Sequence, residues 1–397
     1  MNVLFLTCHL PFPPSSGGRL REFELLRRMG TRHRVEVCAV TRTLEHDRAH
    51  VERVRAFARV RLFAAPVNAG LPPAAGGASF LARRASSPPA AAYVAERLAA
   101  GGVDLVHCEG FYMLPLAGGA DVPVFLMEQN VEYRVWPGHP GVRAEELRAW
   151  RAATRCGALT EGDAGIMRRV VGARRVLLSF NGTDHTTALE CGGFGPPRPP
   201  DGGPVVLCPG NFAYEPSYEA GIRLCTTIGP RILERVPNAT VLLVGNASER
   251  LLPLLRDPRI QVHGAVASLE PYYAAATVVA CPLGRGGGIK VKLLEALVRG
   301  CAIVSTQVGR QGLEDAPMVA ADPPEAFAAA VADLLLDAGA RSSLRARAAA
   351  FGAGLPTWDA AADQLHHCWK ETVRARRRPS GAVCAVHPSS ASGKDIS

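Results

Sequence analysis

The apolar positions of this chain fall in short, nearly unbroken β-branched runs separated by stretches with helical spacing. NVLFLT (Asn2 to Thr7) leads through a Pro/Ser/Gly loop into the amphipathic REFELLRRM, and RVEVCAV, VDLVHCEG, VPVFLMEQN and RRVLLSF follow at intervals. Near-continuous apolar strands alternating with helices predict a parallel sheet covered on both faces. The rhythm breaks from Cys191 to Pro204, where CGGFGPPRPPDGGP suits neither a helix nor a strand interior. Beyond it come PVVLCPG, a helix through AGIRLCTTIGPRILERV, ATVLLVGN, RIQVHGAV, the helix LEPYYAAA, TVVACPL, a helix after a glycine run and CAIVST. The pattern predicts an α/β chain of two Rossmann-like domains, residues 1–190 and 205–356, joined by a Gly/Pro-rich linker at 191–204. A terminal helix over 357–378 and a disordered Ser/Gly/Pro-rich tail over 379–397 complete the reading. The stretch AGLPPAAGGASF around Gly70 is expected to be a long surface loop.

Composition narrows the partners. The chain has 397 residues, 48% of them hydrophobic, enough for ordinary globular cores. Lys and Arg number 45 against 36 Asp and Glu, a net charge of +9 that suits anionic partners. The arginines are scattered as singles and pairs with no aromatic-interleaved patch, which argues against nucleic acid. The eleven cysteines form no CxxC pair, and several sit inside apolar runs, as in a reducing cytoplasm. The apolar opening is far shorter than the ~20 residues of a membrane span. The basic stretch from Arg374 to Arg378 leaves peripheral contact with the inner membrane face open; its plain alternative is a solvated helix end.

In open parallel sheets ligands bind at the carboxyl ends of strands, where helix N-termini present free N–H groups. The richest such turn is CPLGRGGGIKVKLLEALVRG. Gly286, Gly287 and Gly288 let backbone approach an anion, and Lys292 and Glu295 share one face of the helix that follows. The chain has only four lysines, and two of them, Lys290 and Lys292, stand here. A compact ammonium beside a diphosphate and a carboxylate accepting ribose hydroxyls would hold a nucleotide sugar; the plain alternative is a glycine turn before a surface helix. A second turn, LPFPPSSGGRLREFELL, opens a helix with Gly17 and Gly18 and carries Arg19 and Arg21. There is no GxGxxG, no GxxxxGK[ST], no Asp-x-Asp pair and no His/Cys cluster with ligand spacing, so neither a metal nor a cofactor is expected. In MEQNVEYRVW, Glu128 and Asn130 at a strand end are candidate acceptor contacts; the alternative is an N-capped loop with solvated carboxylates.

Taken with SFNGTD before the linker and the runs PVVLCPGNFAYEPSYEAG, VHGAVASLEPYYAAATVVACPL and GGGIKVKLLEALVRGCAIVSTQVGRQGLE, these turns resemble family 4 glycosyltransferases. The resemblance covers nearly all of residues 205–314 and is fainter before them. It implies the GT-B fold, with two Rossmann-like domains facing across a cleft and a last helix crossing back onto the first. It also implies transfer of a sugar from a nucleotide donor to a hydroxyl acceptor (an envelope glycan, a glycolipid or a small natural product) with retention of configuration. Carried over by position, Glu295 would hold the donor ribose and Lys292 the diphosphate, with Gly17, Gly18 and Gly210 close to the donor. The turn from His263 to Val266 would flank the base. The VHCEG turn stands where the family usually has a catalytic histidine, which makes His107 and Glu109 candidates. Two departures are visible. Gly287 occupies the position eight before Glu295 where the family has a first glutamate, and PGNFAYEPSYEAG lacks the basic pair many members carry. Neutralisation of the diphosphate then rests on Lys292, helped by Arg285 or Lys290. The rival readings are a nucleotide-sugar 2-epimerase of the same fold and a non-catalytic two-lobed binding protein.

Overall fold

The computed structural model describes residues 1–66, 78–119, 121–139, 141–183 and 202–377. Most of the expected linker, the segment around Gly70, Arg378 and the tail lie outside the described residues.

Strands β1 (Asn2–Thr7), β2 (Arg34–Thr41), β3 (Arg59–Ala64), β4 (Leu105–Glu109), β5 (Val124–Glu128), β6 (Arg155–Ala158) and β7 (Val176–Leu178) form a seven-stranded sheet ordered β3-β2-β1-β4-β5-β6-β7. A second, six-stranded sheet follows. It takes β8 (Val205–Pro209), β9 (Thr240–Val244), β10 (Ile260–Val262), β11 (Val278–Cys281), β12 (Ile303–Ser305) and β13 (Val319–Ala320) in the order β10-β9-β8-β11-β12-β13. Every pairing in both is parallel. This is the two-domain GT-B architecture. The physical cause is the one read from the pattern: β4, β5, β8 and β9 are buried along their whole length, so helices must cover both faces.

Two first-lobe strands escape that pattern. β3, RVRLFA, is an edge strand whose Arg59 and Arg61 are exposed, and charge on an edge discourages pairing with another chain. β6, RCGA, is short, and Gly157 makes room there for the large residues of β5: a Cβ at 157 would lie 2.5 Å from Phe125 Cζ.

The terminal helix, Trp358–Arg377, packs on the first lobe rather than the second. Trp358, Leu365 and Trp369 are buried in one cluster with Val3 and Phe5 of β1, Val37 of β2 and Leu25 of the helix Gly17–Met29. Gln364 Nε2 donates to the Leu178 carbonyl at 2.9 Å. The chain therefore returns to the lobe where it began, crossing beside Thr183. Among the described residues no helix is long and apolar enough to cross a membrane.

Candidate functional site

In each sheet the chain leaves its first strand to one side and later returns to the other, so β1/β4 and β8/β11 are switch points. The loops beyond those strand ends face each other and enclose a crevice of about 550 Å³. The first lobe contributes Pro14 to Gly18, Leu20, Gln129, Asn130, Leu159 and Asn181. The second contributes the turn Pro209–Asn211, Tyr214, Gly245 and Asn246, the group Ala265, Val266 and Leu269, and the stretch Gly287–Lys292 (without Gly288) with Glu295.

Two helix N-termini open onto this space. The helix Gly17–Met29 is capped by Ser16, whose Oγ accepts from Arg19 N at 3.3 Å. The helix Val291–Val298 has no side-chain cap, leaving its first N–H groups to the crevice. The two ends nearly touch: a Cβ on Gly17 would lie 3.1 Å from Val291 Cγ2. Lys292 projects beside Gly210, its Nζ 3.7 Å from where a Gly210 Cβ would sit. Its ammonium has no hydrogen bond or ion pair among the described residues. Glu295, one turn on, accepts from the Tyr273 hydroxyl at 3.0 Å. Burial, and then the Glu295 charge, hold that phenol well above its ordinary pKa, so it keeps the proton it donates.

Several expected site residues are placed differently. Lys290 lines the crevice, but its Nζ turns back to the carbonyls of Gly287 (3.0 Å) and Gly288 (2.6 Å) and clamps the glycine bend. Burial, the larger cause, and the neighbouring Lys292 charge pull its pKa down to about 8. Arg285 leaves the crevice to pair with Glu219 at 2.7 and 2.9 Å, and lies 5.1 Å above the Trp136 ring of the first lobe. Gly286 and Gly288 do not line it either. A Cβ on Gly288 (φ +60°) would collide with the Gln129 carbonyl, and one on Gly287 would sit 2.7 Å from Val135 Cγ2. The glycine bend therefore serves close approach of the lobes as well as of a ligand. His263 turns outward to the Tyr272 hydroxyl (3.2 Å) and Gln261 (3.3 Å), leaving Val266 of its turn at the crevice.

In the first lobe, His107 and Glu109 are 0% and 3% exposed and lie behind the crevice wall. Trp369 Nε1 can only donate, and it meets His107 Nδ1 at 2.8 Å, so His107 carries its proton on Nε2 and gives it to Glu109 Oε1 at 3.0 Å. Burial works to raise the Glu109 carboxyl, but the His107 bond, the Arg21 charge and Gln129 outweigh it and hold it below the ordinary carboxylate range. This pair supports the wall and cannot touch a ligand. Glu128 is 2% exposed and accepts from Trp150 Nε1 at 3.1 Å beneath the helix Val142–Ala152. Burial and then Glu146 push its pKa well up, so it is a neutral buried acid and not an acceptor contact. Asn130 does line the crevice, its Nδ2 donating to Glu132 Oε1 at 2.9 Å.

Sequence reasoning missed Asn181, Asn211, Tyr214 and Asn246 as lining residues and Arg21 as a buried one. The three asparagines stand within three residues of a strand end, which is the signal that was available. Arg21 is 0% exposed and gives Nη2 to Ser179 O (2.9 Å) and Oγ (2.7 Å), while Nη1 lies 3.7 Å from Glu109.

Residues 203–337 match the family model for glycosyl transferases group 1. No curated protein matches the chain in sequence. Among solved structures the chain is similar to Anabaena Alr3699/HepE in complex with UDP, at a TM-score of 0.68 and 14% identity over 93% of this chain and 100% of that one. It is also similar to WaaG, a glycosyltransferase involved in lipopolysaccharide biosynthesis, at a TM-score of 0.64 and 14% identity over 91% and 97%. A putative UDP-N-acetylglucosamine 2-epimerase from Listeria monocytogenes scores 0.63 at 12% identity over 96% and 99%. The second lobe thus matches the group 1 glycosyl transferase model, and both lobes together share the GT-B fold of these structures.

Proposed function

We propose that the chain is a retaining glycosyltransferase that moves a sugar from a nucleotide-diphosphate donor to a hydroxyl acceptor bound between the lobes. One observation carries the reading: on a helix whose uncapped N-terminus opens into the crevice, Lys292 has no partner among the described residues and Glu295 is held in place by Tyr273. The group 1 family match over the same segment supports it. The helix N-terminus and Lys292 would stabilise the negative charge that builds on the departing diphosphate, and Glu295 would accept from the ribose hydroxyls. The acceptor oxygen would attack from the face the diphosphate leaves, passing its proton to a leaving phosphate oxygen. His107 and Glu109 then have no proton to move, in keeping with their burial. The reading needs no metal, and a chelator should leave turnover unchanged.

Because a putative 2-epimerase shares the fold, fold alone does not choose between transfer and epimerisation. The two part on one point: an epimerase converts its nucleotide sugar with no acceptor present. The test incubates the chain with UDP-sugars first, since the HepE complexes hold UDP and UDP-glucose, and then with other nucleotide sugars, with and without a panel of hydroxyl acceptors. The account expects acceptor-dependent release of nucleoside diphosphate and a product whose anomeric proton coupling matches the donor. An epimerised nucleotide sugar without acceptor, or an inverted product, would overturn it.

A further inference from the structure

The lobes touch beside the crevice, and each side of that contact is held by one buried or crevice-side ionisable residue. The second-lobe side is the glycine bend. The first-lobe side is the loop of residues 129–135, which leaves β5 and carries the one-turn helix Glu132–Val135. Cβ atoms on Gly287 and Gly288 would lie 2.9 and 2.7 Å from Asn130 Oδ1, so only glycine lets the two backbones come this close.

The loop takes its shape from behind. Glu146, on the helix Val142–Ala152, is 0% exposed, and its two carboxylate oxygens accept the backbone N–H groups of Glu132 (2.8 Å) and Tyr133 (2.9 Å). These are first-turn donors, which have no partner inside their own helix. Asn130 gives Nδ2–H to Glu132 Oε1 at 2.9 Å, which leaves its Oδ1 turned to the bend. One buried carboxylate thus fixes the loop backbone and, through Glu132, the amide that meets the other lobe.

Lys290 has the matching task across the contact. It is the N-cap residue of the helix Val291–Val298, and its Nζ donates to the carbonyls of Gly287 and Gly288. The bend is thereby tied to the end of the helix that carries Lys292 and Glu295. A misplacement of about 1 Å set up far from the chemistry can cost ~10²-fold in rate.

Resting on the transferase reading, we infer that Glu146 and Lys290 are a pair of positioning residues, one per lobe. They hold the two faces of this contact and so set where the uncapped helix end and Lys292 stand relative to the first lobe. Neither binds the donor itself.

Hydrogen exchange of the full chain read by mass spectrometry, together with steady-state turnover, tests the pair. Glu146→Gln keeps the shape but only one acceptor oxygen, and Lys290→Met keeps the stem without the donors. Each should raise exchange threefold or more on the opposite lobe's side of the contact: residues 286–291 for Glu146→Gln, residues 129–135 for Lys290→Met. Each should lower kcat tenfold or more and leave affinity for the tightest-binding nucleoside diphosphate of a panel within twofold. Because both act on one contact, the double variant should fall no more than twofold below the worse single. Lys290→Arg, which keeps donors for the two carbonyls, should recover most of kcat. Exchange changes confined to the substituted lobe, additive losses of kcat, or a tenfold loss of diphosphate affinity in Lys290→Met would overturn the inference. If the chain shows no acceptor-dependent turnover, the transferase reading fails, and the cross-lobe exchange decides the pair on its own.

Discussion

The two lobes share a sheet architecture and treat charge in opposite ways. The first lobe buries ionisable side chains: Arg21, Asp47, Glu109, Glu128 and Glu146 are all under 4% exposed. In the second, no charged side chain among the described residues is buried, and the charge stands at the crevice or the outer surface. A buried ion is costly unless paired, so the first lobe sets Arg21 against Glu109 and keeps Glu128 protonated. The second lobe leaves an ammonium where a ligand can pair with it. One lobe is built to hold a shape, the other to meet a changing charge.

That contrast can be broken in four ways, in falling order of effect. Arg21→Ala leaves Glu109 buried without its cation and should cost about 3–5 kcal/mol in a urea melt. Lys292→Ala should leave the melt close to wild type and lower kcat by ~10²–10³, about 3–4 kcal/mol in the transition state. A third test uses pH. Glu128 keeps a raised pKa in the fold, through burial and Glu146, against about 4.3 in an unfolded chain. The folded state therefore holds a proton the unfolded state has lost. The stability this group contributes is complete below about pH 4.3 and is lost as pH rises through the folded value, at up to ~1.4 kcal/mol per unit. Glu128→Gln should remove that slope in melts compared between pH 5 and 8, and an unchanged slope would assign it elsewhere. Smallest of all, Arg285→Ala removes a half-exposed pair with Glu219 and a contact with Trp136, worth about 0.5–1 kcal/mol each. It should change KM for the donor by less than twofold, whereas a direct phosphate ligand would cost far more.

Local pattern carried most of the fold. β1, β2, β4, β5, β8, β9 and β11 are short, largely apolar and largely buried runs, and that run of apolar residues marks them. β3 and β6 were not legible, because arginines interrupt one and a glycine the other, and only the neighbouring strands explain both. In the site, the three-residue spacing of Lys292 and Glu295 is a helical property and could be read directly. Lys290, two residues earlier, has the same chemistry, and nothing local says that its ammonium folds back on the glycine carbonyls. The glycines themselves were visible, but their closeness to Gln129 and Val135 depends on how the lobes meet. Strand parity holds a further lesson. Leu126 and Glu128 share one face of β5 and point under the helix Val142–Ala152, which turns Glu128 away from the crevice. His107 shares its face of β4 with Leu105, and the cover over that face is Trp369, a residue 262 positions away that no local pattern could place there.

The central claim is that Lys292 is the cation a nucleoside diphosphate meets in the crevice. Calorimetric titration of the full chain and of Lys292→Ala, each with the tightest-binding nucleoside diphosphate of a panel and with its parent nucleoside, tests this most directly. The account predicts a tenfold or greater loss of diphosphate affinity in the variant, with nucleoside affinity unchanged. Equal diphosphate affinity in the two proteins would contradict it.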